Sequence, residues 1–478
     1  MSLLVEDLSV AGPQGRIVRD VAIAAAPGTP LTLIGETGSG KSLVAAAIMG
    51  TLPPGLSATG RIRLERTELL DLPPTARRAL WGRRIALLPQ EPWLSLDPTM
   101  PAASQVREVF GLVRGEAPAA ARQGATRLLT ALGLRAPAAA RYPFQLSGGM
   151  AQRVAIAATQ AAGASLLLAD EPTKGLDEAL RDDLAAMLRA RAAEATVLTI
   201  THDIALARML GGTVAVMLEG CVIESGPVAE VLDAPRHAYT RRLVDADPSR
   251  WPSPPPVAPG AAVVVAGRGL ARGFGTRRLF AGLDIDVRAG EFVAVSGPSG
   301  CGKTTLGNVL LGLLRPEAGS VTRADAAPTR FQKLYQDPPA AFAPHATLRT
   351  ALADLARRHG IAWARIAPLL AKLRLAPALL DRLPGQISGG ELQRFALARV
   401  LLLDPLFLFA DEATSRLDPI TQQEVMDLLR AQVEERGLGV LLVTHETALA
   451  RAMATQHVTL GAADTETAAA GEPVAAAA

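Results

Sequence analysis

Short apolar runs recur along the chain, and each stops at a polar or glycine-rich loop. Residues 31–34 and 292–295 run into glycine loops, and apolar-rich stretches over 43–49 and 306–314 follow them. The spacing predicts a strand, a loop and then a helix in both places. Residues 166–169, 406–410, 196–200 and 440–443 are continuously or nearly continuously apolar and too short for helices. They read as strands buried on both faces. Strand–loop–helix alternation of this kind predicts an α/β fold with a mainly parallel sheet and helices on its faces.

The pattern is written twice. GETGSGKS at 35–42 recurs as GPSGCGKT at 297–304, and LSGGMAQR at 146–153 as ISGGELQR at 387–394. LLLADEPTKGLD at 166–177 recurs as LFLFADEATSRLD at 406–418, and TITHD at 199–203 as LVTHE at 442–446. The order is the same in both halves, and 23 residues separate Ser147 from Asp170 and Ser388 from Asp411. Two copies of one unit are the reading. Between them lies DADPSRWPSPPPVAPGA, too rich in proline for a helix or a central strand and therefore a semi-rigid linker. The expected domains are 1–248 and 262–462, joined by a linker over 249–261 and followed by a low-complexity tail over 463–478 that frays.

Composition changes this picture little. Forty-nine per cent hydrophobic residues suffice for buried cores, and a net charge of +3 over 478 residues gives no case for binding a polyanion. Abundant Ala, Arg and Pro suggest a GC-rich bacterial gene. Two cysteines, Cys221 and Cys301, cannot form a disulfide framework or a four-thiolate metal site, so a reducing compartment is expected. The N-terminus has no basic signal-peptide region. The longest apolar stretch, 395–410, is broken by Arg399 and by Asp404-Pro405. A soluble chain is expected, one that would need another subunit to cross a membrane.

The pattern G-x-x-x-x-G-K-[ST] surrounds a polyphosphate with backbone N–H groups and a helix N-terminus. The candidates are Gly35, Glu36, Thr37, Gly38, Ser39, Gly40, Lys41 and Ser42, then Gly297, Pro298, Ser299, Gly300, Cys301, Gly302, Lys303, Thr304 and Thr305. Lys41 and Lys303 would neutralise the β- and γ-phosphates of ATP, and Ser42 and Thr304 would offer their hydroxyls to Mg²⁺. Asp170 and Asp411 end apolar runs and suit the magnesium shell. Glu171 and Glu412 follow them, placed to polarise an attacking water as general bases. His202 and His445, two of six histidines, fall 32 and 34 residues beyond those aspartates and are assigned to sensing the γ-phosphate. Cys301 reads as a free thiol near nucleotide.

With the two SGG-x-x-Q-R segments added, the ordered set resembles the ATP-binding-cassette domains, over nearly the whole chain. The resemblance implies two P-loop NTPase domains, each with a helical subdomain carrying the signature motif, packed head to tail within one molecule. It implies two composite sites: Lys41, Asp170, Glu171 and His202 with Ser388, Gly389 and Gly390, and Lys303, Asp411, Glu412 and His445 with Ser147, Gly148 and Gly149. Asp177 and Asp418 match the loop that crosses the dimer interface. Gln90 and Gln336 match the glutamine that touches Mg²⁺ and begins the segment facing the membrane subunit. The family stacks adenine on an aromatic about two dozen residues before the phosphate loop. Phe274 fits in the second half, but the same offset in the first half falls on Gly12.

Residues 87–100, 234–248 and 411–422 resemble segments of peptide and nickel importer ATPases, although the cysteine cluster common there is missing. The resemblance implies an ATP-hydrolysing subunit of a bacterial importer, peripheral on the cytoplasmic face of the inner membrane. Two permease subunits and an external substrate-binding protein would be its partners, and no nucleic acid is expected. A soluble tandem cassette protein acting on ribosomes and the fused ATPase of a sugar importer are the alternatives. The short Pro-rich linker opposes the first, and the intact second phosphate loop opposes the second.

Overall fold

The computed structural model describes residues 2–461 except Glu91, Lys174, Gly175, Asp177, Thr276, Ser299, Ser415 and Arg416. The expected tail over 463–478, Asp177 and Ser299 therefore lie outside the described residues. Two compact units emerge, one of Met1–Asp247 with Asp418–Ile420, the other of Pro248–Leu417 and Thr421–Ala478.

In the first unit a six-stranded sheet runs in the order Cys221–Pro227, Thr213–Leu218, Leu31–Ile34, Thr196–Thr201, Leu166–Asp170, Ile85–Leu88. Every neighbouring pair is parallel except the first. The inner strands Leu31–Ile34 and Thr196–Thr201 are buried at every position, which is why they lack polar alternation. A four-stranded antiparallel sheet opens with the hairpin Leu3–Gly12 and Gly15–Ala25. The helices Ala102–Glu108, Pro118–Ala131 and Gly148–Ala161 form a subdomain with its own apolar centre, including Val106, Phe110, Leu129 and Val154.

The second unit repeats this plan. Its five strands, Phe331–Leu334, Phe407–Asp411, Gly439–Val443, Phe292–Ser296 and Gln456–Thr459 in sheet order, are all parallel. The helix expected over 306–314 occupies Lys303–Leu311 instead. It starts directly on the glycine loop and stops at Gly312, whose left-handed φ of 79° and backbone N–H close the last turn onto Asn308 and Val309. The apolar stretch 395–410 divides between the helix Gly389–Leu401 and the strand Phe407–Asp411. Asp404, at φ 47°, and Pro405 make the break.

Gly307, buried on the helix Lys303–Leu311, faces the ring of fully buried Phe409 so closely that a Cβ would overlap three ring carbons. In an open helix Gly→Ala is stabilising. Here Gly307→Ala is expected to destabilise the protein by about 1–3 kcal/mol through overpacking. Phe409→Leu, costly alone, should recover part of that loss in the double variant. Thermal denaturation of the three variants checks this, and a Gly307→Ala protein as stable as the parent would refute the contact.

Candidate functional site

Each phosphate loop bridges a buried strand and a helix whose first residue is the lysine. In the first, Gly35, Gly38 and Gly40 have φ of 155°, 90° and 96°. These are values that side chains oppose. At Gly35 a Cβ would also meet the Met217 carbonyl. Lys41 is buried, and its Nζ donates to the carbonyls of Gly35 and Glu36, both at 2.8 Å. Burial pushes its pKa below the ordinary lysine value, against the opposing pull of Glu171 and Asp170. The second loop repeats the geometry, with Gly297, Gly300 and Gly302 at φ 145°, 77° and 106°. Lys303 Nζ donates to the carbonyls of Gly297 at 2.7 Å and Pro298 at 3.1 Å.

The aspartates meet the helices at their first turn. Ser42 Oγ donates to Asp170 Oδ1 at 3.2 Å, and Thr304 Oγ1 to Asp411 Oδ1 at 3.0 Å. Beyond each strand end the backbone turns left-handed, with φ 46° at Glu171 and 49° at Glu412. That is a strained conformation for glutamate. Cross-strand bonds hold both turns, from Glu171 N to the Ile200 carbonyl (2.7 Å) and from Glu412 N to the Val443 carbonyl (3.0 Å).

Each glutamate then meets its histidine. Glu171 Oε2 lies 2.9 Å from His202 Nδ1, and Glu412 Oε1 lies 2.6 Å from His445 Nε2. Thr201 Oγ1 also donates to Glu171 at 3.2 Å. Burial opposes the charge on Glu171, but His202 and Lys41 outweigh it and hold the carboxyl below its ordinary value. Burial likewise opposes a charged His202, and Glu171 outweighs it, so the imidazole is raised. Gln336 Nε2 donates to Glu412 Oε2 at 2.5 Å, while Gln90 is exposed just past the strand Ile85–Leu88.

Ser147 and Ser388 cap the helices Gly148–Ala161 and Gly389–Leu401 and are exposed, as are Gly148 and Gly389. Gly149 and Gly390 are partly buried, and Thr37 and Thr305 lie in and just after their loops. Phe274, at the end of its hairpin strand, is 55% exposed with the Arg272 guanidinium 5.2 Å from its ring centroid. Gly12 occupies the matching hairpin position, pairing with Gly15 as Phe274 pairs with Arg277. Cys301 is a free cysteine, as expected, but a buried one. Its side chain is 1% exposed and belongs to the apolar core with Val295, Leu306 and Val309, so it is not an accessible thiol beside nucleotide.

Three participants escaped the sequence. Tyr239, 203 positions beyond the first loop, accepts a hydrogen bond at its phenol oxygen from Glu36 N at 2.9 Å. Burial, then Glu36, raises its pKa. Arg277 donates to the Gly300 carbonyl at 3.1 Å. Lys333 Nζ lies 3.3 Å from Asp411 Oδ2. Only the segment 234–248 around Tyr239 carried a sequence signal.

Lysine on a glycine loop, hydroxyl against aspartate and glutamate against histidine, all at the carboxyl edge of a parallel sheet, define a P-loop ATPase. The arrangement is present twice. The model of the ABC transporter family matches residues 18–174 and 280–415, and the chain belongs to that family. It is 35% identical, over 95% of its length and 89% of the relative's, to the peptidoglycan transport ATP-binding protein YejF of Agrobacterium fabrum. To the glutathione import ATP-binding protein GsiA of Shigella dysenteriae it is 32% identical, over 94% of this chain and 82% of that one. Among solved structures, RNase-L Inhibitor shares the fold with a TM-score of 0.66 at 21% identity, over 95% of this chain and 87% of that one. The chain binds and hydrolyses ATP.

The Glu171–His202 pair sets a pH dependence of stability. Glu171 is depressed from its ordinary 4.5, so its contribution is complete above that pH and lost as the pH falls through the lower folded value. His202 is raised from its ordinary 6.5, so its contribution is complete below that pH and lost as the pH rises through the higher folded value. The melting-temperature gap between the parent and His202→Ala, without nucleotide, should be widest between pH 4.5 and 6.5 and shrink on both sides. A gap that does not vary with pH would contradict the ion pair.

Proposed function

We propose that the chain energises bacterial uptake of peptide-like solutes, docking as a peripheral subunit on the cytoplasmic side of partner permeases served by an external binding protein. Relatives named for peptidoglycan and glutathione transport, matched across nearly the whole chain, support this reading. Among the described residues no helix is long and apolar enough to cross a membrane; in this reading the permeases supply the passage. Exposed Leu94, just after the Gln90 loop, and Leu112 in the helical subdomain offer apolar surface for such a partner.

The observation that carries the mechanism is the doubled Lys–Asp–Glu–His constellation. Loop N–H groups and Lys41 or Lys303 bind the β- and γ-phosphates, while Phe274 stacks on the base in the second half. Glu171 and Glu412 take the proton of the attacking water, with His202 and His445 holding those carboxylates and contacting the γ-phosphate. The donors also fit a hard divalent cation. Ser42, Asp170 and Gln90 in one half, and Thr304, Asp411 and Gln336 in the other, present hydroxyl, carboxylate and amide oxygens. They would hold Mg²⁺, which neutralises phosphate charge when bound. Ser388, Gly389 and Gly390 complete the Lys41 site in this reading, and Ser147, Gly148 and Gly149 the Lys303 site, each turn donating to the γ-phosphate of the opposite half. Domain limits of 1–248 and 262–462 with the linker 249–261 belong to the same reading.

Glu171→Gln and Glu412→Gln are each expected to cut phosphate release from ATP, and the double variant to lower it about a hundredfold or more. Undiminished turnover in either single variant refutes competence at that site. For transport, the tagged chain should co-purify integral membrane proteins from its host. Vesicles holding that complex and its binding protein should take up labelled oligopeptide with ATP; uptake that is blind to peptide would refute the substrate class.

A further inference from the structure

Among the differences between the two halves, one lies on the strand beside the aspartate. The strand Phe331–Leu334 pairs in parallel with Phe407–Asp411, setting Lys333 opposite Phe409. In the first half Ile85–Leu88 pairs with Leu166–Asp170, and Leu87 stands opposite Leu168. Two residues further along the second strand lies the aspartate in both halves, Asp411 or Asp170. A cation thus occupies the place of an apolar side chain.

Lys333 is firmly held there. Its Nζ lies 3.3 Å from Asp411 Oδ2 and 3.1 Å from Asn308 Oδ1 on the helix that begins at Lys303. The rings of Phe409 and Tyr335 have their centroids 4.9 and 5.1 Å from the ammonium. Both partners of the ion pair are shielded, with 11% of the Lys333 side chain and 4% of that of Asp411 exposed. Screening by salt is weak at such depth. Asp411 Oδ1 meanwhile accepts from Thr304. One carboxylate therefore carries a fixed cation on one oxygen and, on the other, the hydroxyl expected to face Mg²⁺.

We propose that Lys333 is a built-in counter-ion of the second phosphate site, favouring metal-free nucleotide and opposing the divalent cation there. The inference rests on the reading of Thr304, Asp411 and Gln336 as Mg²⁺-facing groups. Its physical basis is simple: a unit charge beside Asp411 attracts the polyphosphate and repels Mg²⁺, so the two affinities move in opposite directions. Lys333 is a positioning residue for the reaction and sets how much magnesium the second site requires.

The test uses the full chain carrying Lys41→Ala, so that a fluorescent ATP analogue reports the second site; adding Lys303→Ala should abolish the signal. The analogue is titrated in EDTA and then at fixed concentration across Mg²⁺. Adding Lys333→Leu should weaken metal-free binding severalfold and lower the half-saturating Mg²⁺ about tenfold. Lys333→Arg, which keeps the charge, should match the parent in both. Structural damage would weaken both affinities together, and that outcome, or no change in either, overturns the proposal. If circular dichroism finds Lys333→Leu unfolded, Lys333→Met is put to the same test. A Lys41→Ala chain that binds no nucleotide at any Mg²⁺ concentration overturns the site assignment, and this inference with it.

Discussion

A strand buried on both faces can offer polar chemistry only where it ends. Leu166–Asp170 and Phe407–Asp411 lie inside their sheets with apolar side chains up to the last residue. Their carboxylates therefore emerge at a single edge, where the glycine loop opens the next helix. The chain then turns left-handed at Glu171 and Glu412, at a strain of about 1–3 kcal/mol each. Backbone bonds to the neighbouring strand hold the turn, and the histidine just beyond that same neighbour meets the glutamate. Glutamate, aspartate and the start of the glycine loop are thus placed by sheet register rather than by flexible loops.

Within this shared frame the halves have diverged by single side chains. Tyr239 tethers the first phosphate loop from a helix far along the sequence, whereas Arg277 reaches the second from the adjoining hairpin. Phe274 presents an exposed ring where Gly12 has no side chain, and the space a Cβ would need there is taken by Leu56, at 2.6 Å. Gln336 is bonded to Glu412. The two halves keep the same lysine, aspartate, glutamate and histidine while differing in the side chains around them.

Much of this was legible from residue order. The six buried strands and both loop-to-helix transitions follow from apolar runs and from the glycine–lysine motif, and the paired acids from their places after those runs. Helix limits were less legible: 306–314 continues apolar past Gly312, and only the left-handed cap shows where the helix stops. Cys301 misled because its spacing in the loop does not tell which way its side chain points; the loop's fold turns the thiol into the core. Lys333 was invisible for another reason, and Tyr239 was marked only by its segment and not by its role. Their roles arise from packing between elements distant in sequence, which no local pattern records.

The two serine–glycine turns carry a last difference. Ser388 sits in a reciprocal cap, its hydroxyl and N–H both donating to the Glu391 carboxylate while Glu391 N donates back to the serine oxygen. Met150 stands at the matching place after Ser147 and has no oxygen to return, leaving one long bond of 3.4 Å. Fraying should consequently be uneven: the opening turn of Gly148–Ala161 exchanges its amide protons faster than that of Gly389–Leu401. The stiffer of the two also keeps its serine hydroxyl engaged by the Glu391 carboxylate, so one turn of the repeat is locked by a partner that the other was never given.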